Sequence, residues 1–232
     1  MTSPIMMYHS VDTRVVDPMK VQVTPPRLRE QLRTLQQLGL RGVSMKELFA
    51  ARRPRRLVGL TFDDGFADFA CAAAPILTEF GFTATVFMVA GSLGGYNDWD
   101  PPPQRPIMRP DQLRSVHRLG HEVGSHGMRH RRLSDPLQPD ALTEEVMESK
   151  AVLEDVLQAP VTGFSYPYGA VGPEVVAAVR ECYDYGCVVE ARPMTDRWTV
   201  PRFYVGQADD PFRLASKLVV HPLREFLQRR TA

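Results

Sequence analysis

Long apolar runs are missing from this chain: no stretch reaches the roughly 18 consecutive apolar residues that a membrane-crossing helix needs. The opening, through Ile5-Met6-Met7-Tyr8-His9, is too short and too polar for the apolar region of a secretory leader. The expectation is a cytoplasmic protein if the chain is full length, and a secreted one if a leader has been removed. Cysteine is also scarce. Cys71, Cys182 and Cys187 are odd in number and form no C-x-x-C pair, which leaves out a disulfide framework or a cysteine zinc site and points to buried thiols. Charge of one sign is the third absence. The 28 Lys+Arg against 27 Asp+Glu give a net charge of +1, without the basic excess of a general nucleic-acid binder.

What is present is the composition of an ordinary globular protein, 44% hydrophobic and 24% charged over 232 residues. That length suits one large domain whose core needs no disulfide or structural metal. Strand-like runs at Ile5–Tyr8, Arg56–Phe62, Phe82–Val89, His121–Ser125, Val161–Ser165, Tyr185–Val189 and Val200–Val205 punctuate the chain. Helical patterns over Pro25–Leu38, Ala67–Phe80, Asp111–Leu119, Thr143–Leu157 and Pro211–Arg229 lie between or after them. In Thr143–Leu157, Val146, Val152, Leu153 and Val156 are expected on one side. Such alternation predicts an α/β fold with a parallel sheet, barrel-like at this length. Two segments break the rhythm. Gly91–Pro110 is a long Gly/Pro-rich loop with Tyr96 and Trp99, either a lid or binding loop or a passive excursion. Arg52-Arg53-Pro54-Arg55-Arg56 could touch an anionic partner or be a solvated turn, in a chain that uses 24 Arg and 4 Lys.

Three constellations carry chemistry. Thr61-Phe62-Asp63-Asp64-Gly65 sets two carboxylates at the end of an apolar strand, where barrel active sites are built; alone, such a triplet is usually a turn. His126-Gly127-Met128-Arg129-His130 spaces two imidazoles at i and i+4, on one side of a helical turn, as a divalent metal requires. With Asp64 they make a three-ligand set that leaves room for water. Phe164-Ser165-Tyr166-Pro167-Tyr168-Gly169 offers aromatic faces to a sugar and backbone N–H groups to an oxyanion.

In this order and spacing, T-F-D-D-G, G-H-E-V-G-S-H-G-M-R-H and F-S-Y-P-Y-G resemble the polysaccharide deacetylase superfamily, carbohydrate esterase family 4 with its NodB-like domain. The resemblance runs from about Ile5 to Tyr204. It implies a single catalytic domain over residues 1–232, a distorted (β/α)7-type barrel, that removes acetyl groups from a carbohydrate. It implies Asp64, His126 and His130 as ligands of a divalent metal, zinc first, and Asp63 as general base. His121 matches a family position but is expected to pack beneath the site. Met7-Tyr8-His9-Ser10-Val11 is similar to a branch whose motif order is circularly shifted, which makes His9 the candidate general acid. Tyr168, Tyr166, Arg202 and Trp99 are the candidate substrate and oxyanion contacts.

The chain also departs from the pattern. Gly127 stands where many members have Ser or Thr, and Ser165 where an Arg often pairs with the base; Arg202 is the candidate replacement. His221 is not assigned the acid role that a C-terminal His takes elsewhere. The function expected is N-deacetylation of an amino-sugar-containing carbohydrate with release of acetate, with an acetylated carbohydrate, and no nucleic acid, as partner. The rival readings are an O-acetyl esterase on xylan-type glycans, an amidohydrolase on a small acetylated metabolite, a non-catalytic glycan-binding module, and an anionic-partner binder using Arg52–Arg56.

Overall fold

The computed structural model describes residues 3–13, 16–134, 138–169, 171–189 and 196–220. In chain order the strands are β1 (Ile5–Tyr8), β2 (Ser10–Val11), β3 (Gln22–Val23), β4 (Arg41–Val43), β5 (Leu57–Phe62), β6 (Thr85–Met88), β7 (Glu122–Ser125), β8 (Gly163–Ser165), β9 (Tyr185–Val189) and β10 (Val200–Tyr204). The helices are α1 (Pro25–Gln37), α2 (Met45–Ala50), α3 (Ala74–Glu79), α4 (Pro110–Arg118), α5 (Pro139–Thr143), α6 (Ser149–Leu157) and α7 (Pro173–Cys182). Residues 211–220 are helical; the rest of the helix expected over Pro211–Arg229, and His221, lie outside the described residues.

One parallel sheet runs β1-β10-β9-β8-β7-β6-β5-β4, and in-register pairing of β1 with β5 closes seven of these strands into the expected barrel. The eighth, β4, stands outside the closed ring. One edge of β5 pairs with β1, while the other pairs with β4 at Leu57–Gly59 and with β6 at Thr61–Phe62. That split is the barrel's distortion. Among the described residues, no helix is long and apolar enough to cross a membrane.

Both faces of every barrel strand are covered, so the strands read as continuous apolar runs rather than clean alternations. Period-2 geometry still sorts the side chains. Met6, Tyr8, Leu60, Phe62, Val86 and Phe203 join the larger core under the helices, where the Tyr8 and Phe62 rings stack at 5.0 Å. Ile5, Phe87, Tyr185, Cys187 and Val200 form a smaller cluster inside the barrel, with Val43, Met45 and Leu48 plugging its base. The same alternation turns Thr61, Asp63 and Arg202 inward, and these three form a polar layer above that cluster.

Several elements differ from the sequence expectation. β4 and α2 carried no strong periodic signal, being short, and α7, which buries Val175 and Val179, was not expected either. The helical stretch around Thr143–Leu157 starts earlier, at Pro139, and passes through a wide π-helical turn over Glu144–Glu148 before α6. Its buried face is Glu145, Val146, Ser149, Leu153 and Leu157; Val152 points to solvent. Of the three cysteines only Cys187 is buried, its thiol pushed up to about 12 by burial, while Cys71 is exposed.

Candidate active site

Parallel strands present all their C-terminal ends at one mouth of a barrel, and the chemistry-bearing residues collect there. Asp63 and Asp64 follow β5, His126 follows β7, Tyr166 and Tyr168 follow β8, and His9 follows β1. Because Tyr8 is in register with Phe62, His9 is the neighbour of Asp63 across the β1–β5 pair. At Asp64 the backbone turns left-handed (φ 71°), followed by Gly65 (φ 72°). A Cβ at Gly65 would lie 2.2 Å from the Met88 sulfur, and the left-handed φ itself favours glycine there. The turn swings the Asp64 carboxylate sideways, toward the histidines.

The two histidines converge on it. Asp64 Oδ1 lies 3.5 Å from His126 Nε2 and 3.3 Å from His130 Nε2, and all three residues are buried. The segment joining them is not the helical turn expected from the i, i+4 spacing. It is a loop, left-handed at Gly127 (φ 83°) and at His130 (φ 55°), that brings the rings together by another route. The ring centroids are 4.9 Å apart, edge to face. Ligands at about 2.0–2.1 Å from a tetrahedral ion sit roughly 3.3 Å from one another, so these separations fit one divalent cation held by two nitrogens and an oxygen. The donor set suits zinc among the common ions. Burial raises the Asp64 pKa, but hydrogen bonds from His126 and His130 outweigh it and hold the carboxyl well below its usual range.

The supporting contacts divide unequally. His126 Nδ1 lies 2.7 Å from the Ser165 carbonyl, which orients its ring and directs Nε2 toward Asp64. His130 Nδ1 has no hydrogen-bond partner among the described residues. Its ring is held instead between Trp99, stacked at 4.6 Å, and Tyr168, edge-on at 4.7 Å. Trp99 belongs to the long loop singled out in the sequence. That loop is tied down by bridges Phe66–Ile107 and Tyr96–Pro106, so it forms a wall of the site rather than a passive excursion.

Asp63 sits deeper. Arg202, fully buried on β10, grips it with Nη1 on Oδ1 and Nη2 on Oδ2, both at 2.7 Å. The guanidinium also donates to Thr61 Oγ1 at 3.0 Å and Ser165 Oγ at 2.8 Å, and lies over the Phe87 ring at 5.4 Å. Arg202 therefore touches the carboxylate at the place the missing Arg of the third motif would serve, while Ser165 makes room for it. Burial pushes the Asp63 pKa up, yet the charges of Arg202 and His126 more than offset this, and the carboxyl lies below its ordinary value.

The other expected residues fall elsewhere. Tyr166 is buried, and its hydroxyl donates to the Trp198 carbonyl at 2.9 Å, so a substrate contact is corrected to a core role. Tyr168 is exposed beside the site, under the Arg132 guanidinium at 4.6 Å. His121 lies at the opposite, N-terminal end of β7 against Phe69, and burial lowers its pKa to about 4, so it is neutral. The exposed Arg52–Arg56 run precedes β5, at the barrel end away from the site. Glu145 was missed. Its carboxylate accepts the N–H groups of Met128 at 2.8 Å and Arg129 at 3.2 Å, inside the histidine loop. The available signal was a charged residue on the same helical face as Ser149 and Leu153.

A family model described as polysaccharide deacetylase matches residues 50–185. The Bacillus subtilis protein YxkH, which carries a polysaccharide deacetylase name, is 27% identical over 193 residues, covering 81% of this chain and 64% of its own length. In fold, the chain is similar to a polysaccharide deacetylase from Bacillus cereus, with TM-score 0.79 and 20% identity over 94% of this chain and 69% of that one. It is also similar to the Streptococcus pyogenes deacetylase PplD, solved with acetate, with TM-score 0.78 and 23% identity over 94% of this chain and 98% of that one.

Proposed function

Since this chain belongs to the polysaccharide deacetylase family, we propose that it hydrolyses N-acetyl groups of an amino-sugar-containing carbohydrate, releasing acetate, with residues 1–232 acting as one catalytic domain. The observation that carries the reading is the convergence of His126 and His130 on Asp64 Oδ1, at 3.5 and 3.3 Å, beside a second carboxylate locked by a buried arginine.

Asp64, His126 and His130 would hold a divalent ion, zinc by preference. Such an ion supplies Lewis acidity, polarising an acetyl carbonyl and making water a stronger acid. Asp63 takes the proton of the attacking water. Oδ2 accepts from both Arg202 Nη2 and Ser165 Oγ, whereas Oδ1 accepts one Arg202 hydrogen bond and keeps a lone pair for that proton, while the guanidinium keeps the carboxylate ionised. The turn at Tyr168 offers backbone N–H to the developing oxyanion. His9, beside Asp63 across the strand pair, protonates the leaving nitrogen, because an amine departs poorly unless protonated. Trp99 and Tyr168 form aromatic walls for the sugar ring.

Acetate release from acetylated amino-sugar oligomers, monosaccharides and xylan, with elemental analysis of the purified protein, tests this reading. Zinc-loaded protein that releases no acetate from any of them would sink it, and release from xylan alone would make it an ester hydrolase. Trp99→Ala should raise KM about tenfold, the loss of one aromatic stack worth about 1.5 kcal/mol, and lower kcat as well, because the same ring stacks on His130 at 4.6 Å. A fall confined to kcat would remove Trp99 from the substrate wall.

A further inference from the structure

The family reading assigns the groups that would bind the metal but leaves open what holds His130, whose ring lacks the carbonyl anchor that His126 has. Its position must come from the backbone of the loop and from the rings on either side. Three consecutive N–H groups of that loop point to one side. Gly127 donates to Ser125 Oγ at 3.2 Å, Met128 to Glu145 Oε2 at 2.8 Å, and Arg129 to both Glu145 oxygens at 3.2 Å. Successive amides in a turn of this kind form an anion-binding concavity, and here the anion is a side chain of the protein itself.

We propose that Glu145 is the positioning residue of the candidate metal centre: its buried carboxylate accepts the amides of Met128 and Arg129 in the joining loop and thereby sets the separation of His126 and His130. This rests on the reading of Asp64, His126 and His130 as ligands. Glu145 is fully buried, in the wide π-helical turn before α6, a deviation that often marks functional positions. Arg131, the residue after His130, lies 3.5 Å from its Oε1 and closes the loop from the other side. Gly127 completes the fit. A Cβ there would stand 2.5 Å from Glu145 Oε2, so a side chain at this position would push the carboxylate from its place. Behind the loop, Ser149 of α6 hydrogen-bonds Ser125 at 2.9 Å, so the same helical stretch reaches the first amide through a second path.

The test compares Glu145→Ala with Leu153→Ala, a buried truncation on α6 that touches none of the loop amides. Zinc affinity is measured by competition with a chelating dye well below each variant's thermal midpoint, and amide hydrogen exchange is followed at residues 128 and 129. Glu145→Ala should weaken zinc binding about 10–100-fold, as removal of ligand-supporting groups does. It should also accelerate exchange at Met128 and Arg129. Leu153→Ala should lower the thermal midpoint and leave zinc affinity within about twofold. Glu145→Gln, which keeps the shape and one acceptor, should fall between wild type and Glu145→Ala. Wild-type zinc affinity in Glu145→Ala, or equal weakening in Leu153→Ala, would overturn the proposal. Failure of the ligand reading looks different: the wild type itself takes up no zinc. The exchange rates at 128 and 129 then decide the positioning role alone.

Discussion

Asp63→Asn should lower kcat by about 10²–10⁴-fold while the protein keeps its zinc, and Asp64→Asn should lose zinc and activity together. The two carboxylates are adjacent in sequence, but the left-handed turn at Asp64 sends them to different partners. Asp64 faces two imidazole nitrogens at 3.3 and 3.5 Å, so an amide there replaces the group's one anionic donor with a weaker neutral one. Asp63 faces a guanidinium and makes no contact with either ring nitrogen that would bind the ion. An asparagine there keeps the shape and one acceptor for Arg202, but it cannot accept a proton from water at any working pH. Zinc content after dialysis against a mild chelator, measured beside the rate of acetate release, separates the roles. Equal zinc loss in both variants, or full turnover in Asp63→Asn, would refute the division of labour between them. Circular dichroism is the needed control, because the asparagine leaves Arg202 partly unpaired in a buried site.

How much of this was legible in the sequence depends on how local each cause is. The meeting of Asp64, His126 and His130 was legible because these residues stand on two short motifs that each end a strand, and parallel strands deliver their ends to one mouth. The spacing of His126 and His130 foretold that the two rings meet, but not the conformation that brings them together. Gly127 and His130 both take left-handed backbone, which i, i+4 counting cannot foresee. Arg202 was legible only as a vacancy, an arginine expected at Ser165 and a candidate arginine elsewhere, since their proximity depends on β8, β9 and β10 lying side by side, and that of Arg202 to Asp63 on β1 pairing both β10 and β5. The burial of Tyr166 was not legible. One residue separates it from the exposed Tyr168, and the direction of each ring follows from a turn rather than from periodicity. Glu145 was hidden for the opposite reason: it reads as an ordinary polar helix residue, and its partners are backbone amides, which have no sequence signature. β4 and α2 were lost because three-residue and six-residue elements carry too few positions for a period to show.

Replacing Arg202 by Met should cost about 3–5 kcal/mol of stability near neutral pH and reverse how stability responds to acid. In the wild type the folded pKa of Asp63 is lowered, so the pair's contribution is complete above the unfolded value of about 3.9 and is lost as pH falls through the folded one. Without the guanidinium, burial dominates and raises the folded pKa above the unfolded value. The protonated acid is then the better tolerated form. Stability of Arg202→Met should be greatest below about pH 4 and fall as pH rises through the new folded pKa, the opposite slope to that of the pair. The same change should move the acid limb of kcat/KM upward, because a base must be ionised to take a proton. Replacing both partners, Asp63→Asn with Arg202→Met, leaves no buried charge in the pair and should recover much of the stability without recovering activity. Urea titrations of the four proteins between about pH 2 and 8 give the slopes, because the wild-type pair loses its contribution only below about 3.9. If Arg202→Met lost stability toward acid as the wild type does, the guanidinium would not be what keeps Asp63 ionised. The base would then owe its charge to the histidines beside it, and the acid limb of kcat/KM would stay where the wild type has it.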